Sequence, residues 1–78
     1  MNTLTTNNSL FSSSSHTGDD SKFTFDLSFV PRTSNPRSFL VAIDGVLQSP
    51  DAYMISVTPA QVTFTSAPSS GLKVKVIH

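Results

Sequence analysis

The sequence predicts an all-β fold, a small antiparallel β-sandwich or barrel of about six strands behind an extended N-terminal arm. Three observations predict it. Phe39 to Tyr53 reads FLVAIDGVLQSPDAY, an apolar run broken by Asp44-Gly45, and Asp-Gly between apolar residues is among the strongest short-range hairpin signals. Phe23, Phe25, Leu27 and Phe29 alternate with Thr24, Asp26 and Ser28, the period-two pattern of a half-buried strand. Turn-forming clusters recur at close spacing, and no stretch combines a helical period with a cap.

Residues 1–21 are dominated by Ser, Thr and Asn, with four consecutive serines from Ser12 to Ser15. After the first Met, only Leu4, Leu10 and Phe11 offer apolar surface there. Such a segment cannot offset its ordering entropy by burying its own side chains. It is expected to be a flexible arm in isolation, ordered by a neighbouring subunit through Leu4, Leu10 and Phe11. Residues 22–78 form the folded module. The first strand carries the aromatic face Phe23, Phe25, Leu27 and Phe29 and closes at Val30-Pro31; Arg32 to Arg37, with Asn35-Pro36, reads as a loop.

Phe39 to Ile43 and Val46 to Gln48 form the hairpin around Asp44 and Gly45, which supply the positive φ that a two-residue turn needs. Ile43 then pairs with Val46, Ala42 with Leu47 and Val41 with Gln48. One face carries Phe39, Val41, Ile43 and Val46, the other Leu40, Ala42 and Leu47. Both faces are apolar, which suggests either that Leu40, Ala42 and Leu47 meet another chain or that the strand is central in a closed barrel. Ser49-Pro50-Asp51 is a turn. Tyr53 to Val57 follows as a β-branched and aromatic strand, Thr58-Pro59-Ala60 turns the chain, and Gln61 to Thr65 returns with Val62 and Phe64 inward. Ala67 to Gly71 is a further turn. Leu72 to Ile77 ends the fold with Leu72, Val74 and Val76 inward, and Lys73 and Lys75 are positioned to protect an exposed edge.

A chain of 78 residues allows one small domain, and domains of this size bury only ~60% of their unfolded surface. There is no cysteine, so disulfides and thiolate metal sites do not staple it. Oligomerisation or docking on a larger scaffold is the remaining usual solution. Five basic residues balance five aspartates, and a neutral chain releases few counterions from a phosphate backbone, which argues against nucleic acid as a partner. No apolar run approaches membrane-spanning length, and the N-terminus lacks the basic and apolar regions of a secretory signal. Asn7-Asn8-Ser9 matches a glycosylation acceptor and is read as chance without a secretory route.

Catalytic chemistry is not apparent. The histidines, His16 and His78, stand in the arm and at the last position, and no serine lies in a nucleophile elbow. Asp19-Asp20 sit in a polar stretch where nothing raises a carboxyl pKa. His16 with these two aspartates makes a poor metal site, being three mixed ligands on a flexible segment. No cofactor is expected. A sugar-stacking platform would need exposed aromatics, and Tyr53 and Phe11 are the two available for one, because the other phenylalanines fall at inward positions.

Asp44-Gly45-Val46-Leu47-Gln48, Pro50 to Tyr53, Phe64-Thr65-Ser66-Ala67-Pro68 and Gly71 together resemble a β-module of bacteriophage virion proteins, frequent in cyanophages. Phe25-Asp26-Leu27-Ser28-Phe29 followed by Pro31 is similar to that family's opening strand. The likeness spans about residues 22 to 77. It departs from the family at Ser56 to Gln61, where a short polar turn is usual, and in holding one module alone. The resemblance implies a virion structural protein, not an enzyme, found in the virion after assembly in the host cytoplasm. It implies a capsid decoration (cement) protein that stabilises the head shell, with a tail or tail-fibre adaptor or receptor-binding module as the alternative. Major capsid protein or other virion proteins are then the partners, and a homotrimer is the implied oligomer.

Overall fold

A computed structural model of the chain describes residues 11–78. Among the described residues, seven strands run in the order β1 (Ser13–Thr17), β2 (Thr24–Asp26), β3 (Leu40–Ile43), β4 (Val46–Leu47), β5 (Tyr53–Val57), β6 (Ala60–Phe64) and β7 (Lys73–Ile77). Two single 3₁₀ turns, Pro36–Ser38 and Pro50–Ala52, lie on the connections that enter β3 and β5. The strands form two antiparallel sheets, one of order β1-β7-β3-β4 and one of order β2-β6-β5. Their facing side chains make the core of a small β-sandwich: Val41, Val74 and Val76 from the four-stranded sheet, Phe25, Tyr53, Ile55, Val62 and Phe64 from the three-stranded one, and Phe39 at the entry to β3. Each such side chain contributes ~1.5–3 kcal/mol when fully buried.

The hairpin is as expected. Ile43 pairs with Val46 and Ala42 with Leu47, and the Gln48 N–H donates to the Val41 carbonyl at 2.7 Å. Asp44 (φ 53°) and Gly45 (φ 84°) both lie in the left-handed region, as a type I′ turn demands. Gly71 has φ 83° and opens the approach to β7. Pro50 begins its 3₁₀ turn behind Ser49, whose side chain accepts from the Asp51 N–H.

Four expectations are corrected. The first concerns the arm, because Ser13–Thr17 lies inside the stretch read as arm and is strand β1, paired along its length with β7. Its backbone ladder, continued by reciprocal Ser12–His78 bonds of 2.9 and 2.8 Å, supplies what its side chains cannot. The folded body therefore begins near residue 12 and not at 22. Second, the aromatic strand shortens to Thr24–Asp26. Phe25 is buried, but Phe23 is 47% exposed. The ladder stops at Leu27, whose N–H donates to the Ala60 carbonyl, and Leu27 and Phe29 then pack only partly against the core.

Third, Val46 is 63% exposed. The four-stranded sheet is one strand wider than its partner, so β4 has nothing opposite it. Fourth, β7 is an interior strand between β1 and β3. Lys73 and Lys75 therefore lie on an outer sheet face and protect no edge.

Chain crossings span both ends of the sandwich. At one end Gly18 donates to the Leu72 carbonyl (2.9 Å) and accepts from the Gly71 N–H (3.0 Å), while the Asp20 N–H donates to the Pro68 carbonyl (3.0 Å). At the other, the β2–β3 crossing passes His78. Its imidazole stacks on Phe39 (centroids 4.2 Å apart, 14° between planes) and on Phe29 (6.0 Å, 15°). Its Nε2 accepts from the Arg32 N–H, and its Nδ1 lies 3.1 Å from the Ser38 carbonyl oxygen.

Candidate functional site

Among the described residues, the inward polar side chains of the first strand serve as structural hydrogen-bond partners. In β1, Ser14 and His16 turn inward, and the Ser14 Oγ lies 2.6 Å from His16 Nε2. That pairing looks like a nucleophile and its base, but Ser14 is 2% exposed and its Oγ also accepts the Ser28 N–H at 3.1 Å. The hydroxyl is a structural bridge that ties the β2–β3 crossing to β1. Burial lowers the His16 pKa, the nearby Lys22 charge lowers it further, and Asp26 partly opposes both. The ring also packs on Phe25, centroids 5.3 Å apart. Asp19 accepts from the Ser21 and Lys22 backbone N–H groups, which hold its carboxyl below the usual range. Among the described residues no three His, Asp or Glu side chains converge as metal ligands.

Tyr53, read from sequence as an available aromatic, is buried. Its hydroxyl donates to the Pro36 carbonyl at 2.7 Å, and desolvation raises its pKa. The ring belongs to the core, and its polar tip fixes the 3₁₀ turn that leads into β3. A sugar-stacking face built on Tyr53 is therefore excluded.

What remains is surface and cavity. The outer face of the four-stranded sheet carries Leu47, Ala42 and Leu40 on β4 and β3. Beyond them, β7 presents Lys75 opposite Ala42 and Ile77 opposite Leu40, and β1 presents Ser13, Ser15 and Thr17. Leu40 is 55% and Leu47 63% exposed. This face is apolar on one half and hydroxylic and basic on the other. The residues predicted from the hairpin pattern, Leu40, Ala42 and Leu47, thus come together as one strip. Val46 beside them was expected to be inward and extends the exposed surface at the sheet edge.

Of the arm residues, Leu4 and Leu10 lie outside the described residues. Phe11 is 66% exposed and borders a shallow groove of about 170 Å³ with Leu40, Ile77 and His78. The structure therefore brings Phe11 beside Leu40. The turn residues Asp44, Gly45, Pro50 and Gly71 shape the connections and make no site of their own.

A second opening was not legible in the sequence. At the Gly18 end, the β4–β5 and β6–β7 crossings border an open depression of about 360 Å³. Ile43, Phe64 and Leu72 contribute apolar lining, with Thr65, Ser66 and Ser69 supplying hydroxyls. No charged side chain lines it. The only available signal was the run of small residues from Ser66 to Ser70, too short to fill the space between two sheets. No protein-family model, curated protein or solved structure matches this chain, so the likeness to phage virion modules stands on the residues quoted for it.

Proposed function

We propose that this chain is a bacteriophage virion structural protein, a capsid decoration protein that binds the head shell and stabilises it. One observation carries the reading beyond the resemblance. Among the described residues, a domain with nine buried hydrophobic side chains leaves Leu40 and Leu47 more than half exposed on the outer face of one sheet. Burying that strip against a partner would add apolar contact that the domain's own core does not supply. The neutral arm that precedes β1 adds a second point of attachment. Repetition over symmetry-related sites on a shell lets individually weak contacts act together. The partner in this reading is the major capsid protein, and the chain acts as a homo-oligomer, a trimer by the resemblance.

The test uses empty shells of the encoding phage. Co-sedimentation of full-length protein, a form lacking the residues before Ser12, and the Leu40→Ser/Leu47→Ser variant measures binding, and thermal disruption of the shells measures reinforcement. Loss of both effects in both altered proteins is expected. Decoration by them as strong as by the full-length form would overturn the reading. Quantitative staining of virions separates head from tail, because hundreds of copies belong to a shell protein and a few to the alternative, a tail or fibre component.

A further inference from the structure

Strand β1 contributes no side chain to the hydrophobic core. It is the outermost strand of its sheet, and among the described strands β7 alone pairs with it. Its inward side chains are polar: Ser14 is buried and His16 half-buried. Ser14 Oγ accepts the Ser28 N–H at 3.1 Å and lies 2.6 Å from His16 Nε2. Among the described residues the Ser14 hydroxyl meets no acceptor except that ring nitrogen. The hydrogen-bond network therefore assigns Ser14 as donor to Nε2 and the imidazole proton to Nδ1.

We propose that the Ser14–His16 pair is an acid-sensitive latch: a proton on His16 releases β1 from β7 as far as Gly18 and leaves the rest of the sandwich folded. Protonation puts a hydrogen on Nε2, and Ser14 Oγ must then accept where it had donated. It can accept both that hydrogen and the Ser28 N–H, but its own hydrogen is left buried without an acceptor, which destabilises the docked strand. The charge is poorly placed as well. His16 packs on Phe25 with ring centroids 5.3 Å apart, and Lys22 Nζ lies 5.2 Å from the same Phe25 centroid. Asp26 on β2 has the opposite sign, and its carboxylate also accepts from Gln61 Nε2 at 2.9 Å. Across the ladder His16 pairs with uncharged Val74; Lys73 and Lys75 lie on the outer face, and Ser28 on the β2–β3 crossing carries no charge. Burial and Lys22 outweigh Asp26, so the His16 pKa is lowered. Release lets the imidazolium and the Ser14 hydroxyl reach water. It stops at Gly18, which is bonded to both Leu72 and Gly71. Detachment would uncover the edge of β7 to a further strand.

Amide hydrogen exchange of the full chain, followed by NMR and corrected for intrinsic rates, reads each ladder separately. The Ser12–His78 and Gly18–Leu72 bonds set the alternation, so the amides of Ser14, His16, Val74 and Val76 face across the β1–β7 ladder. Their protection should fall at least about fivefold from about pH 8 to about pH 5, the range in which histidine titrates. At the acid end they should be at least about tenfold less protected than Ala42 and Lys75 across β3–β7 or Met54 and Thr63 across β5–β6, because release spares those pairs. His16→Asn, which cannot take up the proton, should abolish the fall with pH. The proposal is overturned if the four amides are as protected as the other two ladders, if their protection does not fall with acid, or if His16→Asn shows the wild-type fall. Should His16→Asn not fold, His16→Phe, whose ring can pack on Phe25 without ionising, replaces it with the same outcomes required. None of these outcomes depends on shell binding.

Discussion

Gly18→Ala tests how the sandwich is closed. A Cβ at Gly18 falls inside van der Waals contact of the Ser69 carbonyl oxygen, 2.7 Å from that of Pro68 and 2.9 Å from the Pro68 carbonyl carbon. All three atoms are backbone, so no side chain can swing aside. The β6–β7 crossing must move, and it is bonded to Gly18 in both directions. Overpacking costs ~1–3 kcal/mol, and each of the two loosened backbone hydrogen bonds adds ~0.5–1.5 kcal/mol, so a loss of about 2–6 kcal/mol is expected. At ~0.05–0.15 kcal/mol per residue, a chain of this length holds ~4–12 kcal/mol in all. Even about 2 kcal/mol lowers the melting temperature by ~8–16 °C for a domain this small.

Gly45 provides the control, because it has φ +84° and nothing within 4 Å of an added Cβ. Its cost is conformational, about 1–2 kcal/mol for Ala, and Asn recovers part of it because Asn tolerates that region. At Gly18, where space is the limit, Asn should be worse than Ala. Urea and thermal unfolding of the four variants measure this, and a Gly18→Ala protein within ~0.5 kcal/mol of wild type would refute the packing argument.

Three further outcomes are expected. Ser14→Ala strips the buried partner from the Ser28 N–H and from His16 Nε2 and should cost ~1–3 kcal/mol in urea unfolding. Because the folded His16 pKa lies below the 6.5 of the free side chain, the unfolded chain binds the proton more tightly. The His16 contribution is therefore complete above pH 6.5, declines as pH falls below it, and levels off beneath the folded pKa; His16→Asn should flatten that window in urea midpoints measured against pH. Tyr53→Phe removes the hydroxyl that donates to the Pro36 carbonyl and should cost about 1 kcal/mol. In the wild type, spectrophotometric titration should show the phenol ionising above 10.0.

What the sequence revealed was mainly what neighbouring residues decide. The Asp44-Gly45 hairpin, its register, and β5 and β6 on either side of Thr58-Pro59 are set by short-range turn chemistry and alternation, and they stand as expected. Strand β1 was not visible, because Ser13 to Thr17 holds no apolar alternation and its stability comes from a ladder to residues some sixty positions later. Alternation also gave no sign of where the chain leaves the sheet, which is why Phe23 and Phe29 are less buried than their spacing suggested. The two lysines of β7 misled for a related reason, since position within a sheet is set by non-local pairing. The strip of Leu40, Ala42 and Leu47 was readable as a surplus of apolar residues on both faces of one hairpin. The depression at the Gly18 end was not, because two crossings distant in sequence border it.

The interior place of β7 has a consequence for biosynthesis. Both strands that flank it, β1 and β3, are made earlier, so on the ribosome the edges they turn to β7 stay unpaired until Lys73 to Ile77 emerges, although β3 can already pair with β4. The β5–β6 hairpin can close while synthesis continues, whereas the larger sheet joins in one late event dominated by distant contacts, the kind that slows folding. A stop codon a few positions upstream of Lys73 would therefore dissolve far more than one strand.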